Sequence, residues 1–122
     1  MGYAVVMLIR IDESSGTPIY RQIADGVRRE IARGRVEPGE RLPPARDLAE
    51  ALGVNVHTVL HGYQDLQEDG LIHLRRGRGA VVAEGAAPAA HLQEAVASFT
   101  TAARQAGLSS SEAARLIRKA MS

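Results

Sequence analysis

The sequence predicts a mainly α-helical chain with one small β-hairpin, and three observations carry that expectation. Ile19, Ile23, Val27 and Ile31 recur every four residues, the spacing of a single helix face. Two further amphipathic stretches follow, separated by a short turn at Gly53-Val-Asn55. After them, an Arg-Gly-Arg-Gly segment lies between two short apolar runs. With one Phe, three Tyr and no Trp, packing falls to Leu, Ile, Val and Ala, which suits small helices better than a large ligand cavity.

Residues 7–12, Met-Leu-Ile-Arg-Ile-Asp, alternate well enough for a short strand or an extended arm. Ser14-Ser-Gly-Thr-Pro18 breaks the pattern, with Thr17 placed as a helix N-cap and Pro18 at the first helical position. The helix that follows carries the isoleucine and valine stripe, sets Arg28, Arg29 and Arg33 off it, and ends at Gly34. Val36-Glu-Pro-Gly-Glu40 reads as a turn. A second helix starts near Pro43-Pro44 and turns Leu48, Ala49 and Leu52 inward. Asn55 is suited to cap a third helix, whose buried face is Val59, Tyr63 and Leu66 and which Gly70 terminates. Leu71-Ile-His-Leu-Arg75 and Ala80-Val-Val-Ala83 then flank Arg76-Gly-Arg-Gly79 as a hairpin. Helix, helix-turn-helix and hairpin in this order describe a winged helix-turn-helix.

Gly85-Ala-Ala-Pro-Ala-Ala90 has the composition of a linker. Beyond it, Leu92, Val96, Phe99 and Ala103 form a helical stripe closed by Gly107. Ser109 and Glu112 make a capping box. The last helix is expected to bury Ala113, Leu116, Ile117 and Ala120, with Arg115, Arg118 and Lys119 toward its C-terminal end. Two such helices cannot bury their apolar faces alone, and a second copy is the favoured cover. The expected division is a winged helix-turn-helix domain with a short arm over residues 1–85, and a two-helix dimerisation tail over 86–122. Leu92, Val96, Phe99, Leu116 and Ile117 are the expected dimerisation residues of that homodimer.

Composition excludes more than it selects. No cysteine is present, so neither a disulfide framework nor a thiolate metal site is available. The apolar opening is short and runs at once into Arg10 and Asp12, so neither a signal peptide nor a membrane span is expected, and a cytoplasmic location is the default. Residues 1–85 hold eleven arginines against twelve carboxylates, a net of −1. Bulk charge therefore does not point to nucleic acid, and any phosphate affinity depends on where the arginines sit. The densest positive charge is at the hairpin tip, with Arg75, Arg76 and Arg78.

The sequence resembles the GntR family of bacterial transcriptional regulators. The resemblance rests on Pro18-Ile-Tyr-Arg-Gln-Ile-Ala24 and Gly34-Arg-Val-Glu-Pro-Gly-Glu-Arg-Leu-Pro43, then on Arg46-Asp-Leu-Ala49, Leu52-Gly-Val-Asn55 and Thr58-Val59. It continues through Leu66, Glu68-Asp-Gly-Leu-Ile72 and Arg76-Gly-Arg-Gly79. The short tail, together with Val54-Asn55, Thr58 and Tyr63, is similar to the YtrA-like branch. The resemblance implies a dimeric DNA-binding regulator, most simply a repressor on a palindromic operator near its own or transporter genes.

It also implies a recognition surface on double-stranded DNA. The third helix would enter the major groove from its N-terminal end. There Asn55, His57, Leu60, His61 and Gln64 lie away from the core stripe; His and Gln exchange hydrogen bonds with base edges, and Leu60 meets a thymine methyl. Arg46 matches the second-helix arginine that family members set against DNA, and Thr58 a phosphate-contacting hydroxyl. Arg76 and Gly77 match wing positions in the minor groove, with Arg75 and Arg78 beside them. Val56 and Leu60 stand where many members carry arginine, which implies different base preferences. Asp65, Glu68 and Asp69 repel phosphate, so the far end of this helix is expected to point away from the duplex.

Other readings are weaker. His57, His61 and Asp65 share i, i+4, i+8 spacing, yet no further ligand completes a metal site, so neither metal nor cofactor is expected. A metal-responsive regulator and a protein-interaction module using a winged helix are the alternatives. Arg76-Gly-Arg-Gly79 is not a nucleotide-binding loop, because a strand follows it. No residue set suggests catalysis, and no effector is legible.

Overall fold

The computed structural model describes residues 9–77 and 79–122. Five helices and one hairpin follow in order: α1 (Ile19–Ala32), α2 (Ala45–Leu52), α3 (Val56–Glu68), β1 (Ile72–Arg75), β2 (Gly79–Val82), α4 (Ala86–Gln105) and α5 (Ser110–Met121). The fold is the mainly helical winged helix-turn-helix that the sequence predicts. Two compact units divide the chain, Met1–His91 and Leu92–Ser122.

In the first unit, Ile23, Val27 and Ile31 of α1, Leu48 of α2, Val59 and Leu66 of α3, and Leu71, Ile72 and Val82 of the hairpin form one core. Each of these is at most 2% exposed. Ile19 packs at its edge. Of the short strand or extended arm expected over residues 7–12, Met7 and Leu8 lie outside the described residues. Residues 9–12 form no strand. Instead Ile9 is buried against α1 over Gly26, where a Cβ would stand 3.1 Å from its Cγ1.

The start of α1 also differs by one residue. Pro18, not Thr17, is the N-cap, and no side chain caps the helix. The Pro18 carbonyl accepts from the amides of Arg21 and Gln22. Gln22 holds the preceding loop: its Oε1 accepts from the Asp12 amide, and its Nε2 donates to the Asp12 and Thr17 carbonyls. At the other end of α1, buried Glu30 accepts from Arg35 Nη1 at 3.1 and 3.2 Å.

The turn at residues 36–40 leads into a third edge of the sheet. Arg41 bridges Val81 antiparallel, Leu42 donates to the Ala80 carbonyl, and Val82 donates to that of Glu40. β1 and β2 pair in the register Ile72↔Val82, His73↔Val81, Leu74↔Ala80 and Arg75↔Gly79. With a neighbour on both sides, Ala80, Val81 and Val82 are all buried instead of alternating.

Gly53 makes the corner between α2 and α3 at φ 70°, a left-handed conformation that other residues adopt only at a cost. Gly62 answers a different demand. A Cβ there would lie 2.9 Å from the Tyr20 carbonyl oxygen and 3.3 Å from Ile23 Cγ2, so α1 and α3 cross where only a hydrogen fits.

The linker expected at Gly85–Ala90 is helical. α4 begins at Ala86, and Ala86 and Ala90 are 1% and 0% exposed in the first unit's core. Pro88 falls in the first turn, where an amide has no intrahelical acceptor, so its missing N–H removes no helical bond. Alanine is the strongest helix former on either side of it.

In the second unit, α4 turns into α5 at Gly107, with the Leu108 amide donating to the Ala103 carbonyl. The capping box is present: Ser109 Oγ accepts from the Glu112 amide, and Glu112 Oε1 accepts from the Ser109 amide. Ala103 is buried; within the single chain no residue of α5 is, and the burial expected for Ala113, Leu116, Ile117 and Ala120 is one that a second copy would supply. Two helices supply no third layer, so one side of each stays open.

Candidate nucleic-acid interface

α3 divides its residues by face. Val59, Gly62, Tyr63 and Leu66 are buried, while His57, Leu60, His61 and Gln64 are exposed at i, i+3, i+4 and i+7. The buried face is fixed by more than apolar contact, since the Tyr63 hydroxyl donates to the Pro43 carbonyl at 2.6 Å and ties α3 to the start of α2. Asn55 is the N-cap, its Oδ1 accepting from the His57 amide at 2.8 Å. The candidate reader at position 57 is thus anchored through its backbone, and its side chain faces solvent.

The remaining expected contacts sit in three places. Arg46 is exposed in the first turn of α2. Thr58 is half-buried and lines a shallow cavity of about 410 Å³ with Ile11, Glu13, Ile19, Leu52 and Asn55. Arg75, Arg76 and Gly77 are exposed at the hairpin tip; Arg78 lies outside the described residues. Beside them Leu74 is 49% exposed, an apolar side chain on the wing that the sequence reading passed over.

Two contacts on α1 were not legible in the sequence. Arg28, placed off the apolar stripe, keeps only 11% of its side chain exposed and gathers three carboxylates. Its Nη1 is 2.7 Å from Asp25, and its Nη2 is 2.8 Å from Asp69 and 3.9 Å from Asp65. Two carboxylates at the acidic far end of α3 thus share one nearly buried guanidinium with Asp25. Burial raises the pKa of Asp25 above the ordinary value, against the lowering effect of Arg28. Only the Asp25–Arg28 spacing of three residues was a visible signal. The second contact is a ring stack between Tyr20 and His61. Tyr20 is also the main influence on the neighbouring Arg21, whose pKa it raises above the ordinary value.

These contacts bear on the metal reading. His61 lies against Tyr20 and Asp65 faces Arg28, and among the described residues no group of three or more His, Asp or Glu is placed to hold a metal ion. No helix among the described residues is long and apolar enough to cross a membrane.

A capped helix presenting an exposed face, a glycine corner before it and an arginine-tipped hairpin after it define the winged helix-turn-helix class. Residues 19–82 match the family model described as bacterial regulatory proteins, gntR family, and the chain belongs to that family. Its YtrA-like branch is marked by two similarities. The chain is 39% identical over 79 residues to the HTH-type transcriptional repressor YtrA of Bacillus subtilis, a match covering 65% of this chain and 61% of that protein. It is 45% identical to YtrA from Sulfolobus acidocaldarius, a GntR-family transcription factor, with a TM-score of 0.61 over 63% of this chain and 81% of that one. The AraR DNA-binding domain, solved in complex with operator ORX1, superimposes with a TM-score of 0.53 at 27% identity, over 60% of this chain and 87% of that one. The chain is a GntR-family transcriptional regulator with a DNA-binding winged helix.

Proposed function

We propose that the protein is a homodimeric repressor that occludes a promoter by binding a palindromic operator, near its own or transporter genes. The observation that carries this reading is the bare face of α3. His57, Leu60, His61 and Gln64 are exposed beside the Asn55 cap, while the opposite face is spent on the core. In this reading they meet base edges in the major groove, Arg46 and Thr58 hold phosphates, and Arg75, Arg76, Gly77 and Arg78 follow the minor groove. The operator complex of AraR and the repressor role of YtrA support it by similarity.

Pairing is assigned to α4 and α5. Leu92, Val96, Leu116, Ile117 and Met121 are between 43% and 83% exposed within the chain, and Phe99 is half-buried, a stripe that a second copy would cover. Two recognition helices related by a two-fold axis then match a palindrome.

The test is selection of bound duplexes from random DNA, followed by gel-shift titration. Arg46→Ala and Arg76→Ala are each expected to weaken binding several-fold. Affinity unchanged by both would overturn the assignment of surfaces.

A further inference from the structure

One contact at the recognition surface has no part in the core. Tyr20 of α1 lies flat on His61 of α3, with ring centroids 3.6 Å apart and planes inclined by 6°. Tyr20 is half-buried, His61 is exposed, and neither belongs to the core cluster. The contact forms at a close approach of the two helices. Gly62, the residue after His61, brings α3 so near that a Cβ would stand 2.9 Å from the Tyr20 carbonyl.

An exposed histidine on a helix is otherwise at liberty to turn about both side-chain torsions. Hydrogen bonding to a base edge requires the imidazole nitrogens to be aimed into the groove, and ordering a mobile side chain on binding costs entropy. A face-on stack fixes the ring plane before DNA arrives, yet covers only one face and leaves the nitrogen-bearing edge uncovered. The sequence offered His61 as a reader without indicating what would hold it.

We propose that Tyr20 is a positioning residue for sequence reading: by stacking on His61 it fixes the imidazole that α3 presents, and so sets discrimination at the base pair beneath that histidine. The inference rests on the DNA-reading role proposed for α3. It assigns a specificity role to a helix that does not itself enter the groove. Because the ring face is the working part, phenylalanine replaces tyrosine and an aliphatic side chain does not.

The test uses the full-length protein, its selected duplex and every single-base-pair variant of that duplex. His61→Ala should flatten the preference at one position of the site. Tyr20→Leu should weaken the preference at that same position about three- to tenfold, the scale of one aromatic contact, and leave other positions alone. Tyr20→Phe should keep the wild-type profile, and Tyr20→Leu should add nothing in the His61→Ala background. A Tyr20→Leu protein that binds all duplexes equally more weakly, or keeps the preference at the His61 position, overturns the proposal. So does a His61→Ala protein with an unaltered profile, although a wild type that still selects sequence leaves the DNA-reading role standing. A wild type that selects no sequence removes both. Should Tyr20→Leu fail to fold, NMR of the wild type still decides. The His61 ring protons should be shifted upfield by the Tyr20 ring, and equally so in Tyr20→Phe; unshifted protons refute the stack.

Discussion

Gly62→Ala is the most demanding substitution for this account of the fold, because intrinsic propensity and packing oppose each other there. Alanine in a helix interior is favoured over glycine by about 1 kcal/mol, so an exposed helix would gain from the change. At Gly62 the new methyl would stand 2.9 Å from the Tyr20 carbonyl oxygen, 3.3 Å from Ile23 Cγ2 and 3.4 Å from Ile23 Cβ. The carbonyl belongs to the backbone of α1, and Ile23 is fully buried. Neither yields alone, so relief requires the two helices to separate. Forcing a methylene-sized group into a packed core costs about 1–3 kcal/mol, which leaves a net loss of up to roughly 2 kcal/mol after the propensity gain. For a domain of this size that lowers the melting temperature by up to about 16 °C. The assay is thermal unfolding followed by circular dichroism at one fixed protein concentration, since association shifts apparent stability. Gly16→Ala is the control, because nothing lies within 4 Å of a Cβ at that position. A Gly62→Ala protein more stable than the wild type by the full propensity gain of about 1 kcal/mol would refute the close crossing of α1 and α3.

Further outcomes follow from the same contacts. Arg28→Ala leaves Asp25, Asp65 and Asp69 without their shared partner and should destabilise the domain by about 1–3 kcal/mol, the buried-pair cost reduced because these carboxylates are partly exposed; urea unfolding measures it. Asn55→Ala removes the N-cap of α3 and should cost about 1 kcal/mol, read in the same experiment, with duplex affinity falling alongside. Glu112, in the capping box of α5, has its pKa lowered chiefly by the Ser109 backbone amide. A lowered folded value means stability present above the unfolded value and lost as pH falls through the folded one. Glu112→Ala should therefore melt below the wild type at pH 7, and the gap should close once the pH passes 4.5 and continues down. A gap independent of pH would deny the carboxylate its role.

Much of the fold was legible because it is written in local patterns. The four-residue spacing of Ile19, Ile23, Val27 and Ile31, the corner at Gly53, the Asn55 cap and the Ser109–Glu112 box each depend on residues within one or two turns of each other. What escaped depends on partners far apart in sequence. Arg28 looked like a solvated arginine, since Asp65 and Asp69 meet it only after α3 has folded back across α1. Gly62 carries no signal except as a weak point in a helix, until Tyr20 supplies the reason for it. The third edge at Arg41 shows no alternation, because a single bridge and a few backbone bonds leave no side-chain periodicity. The segment Gly85–Ala90 misled by composition: proline counts against a helix interior and is tolerated in a first turn, so its position outweighed its identity.

For the candidate site, the exposed face of α3 was legible, but its electrostatic organisation was not. A domain with a net of −1 over residues 1–85 is an unpromising polyanion binder if its charges are taken as a sum. Three of its twelve carboxylates are gathered around one nearly buried arginine beside α1 and the far half of α3. Arg28 lies 2.7 and 2.8 Å from Asp25 and Asp69 and 3.9 Å from Asp65, so it offsets part of this negative charge locally. Glu30 is likewise met by Arg35. Arg46, Arg75 and Arg76, by contrast, are exposed in α2 and on the wing, at the positions proposed to meet phosphate. His57, Leu60, His61 and Gln64, the residues proposed to read bases, add no carboxylate or arginine to the exposed face of α3. Such a surface gains less from non-specific phosphate attraction than a uniformly basic one. Discrimination then depends on how firmly each reader is held, which is why a ring stack outside the core carries functional weight.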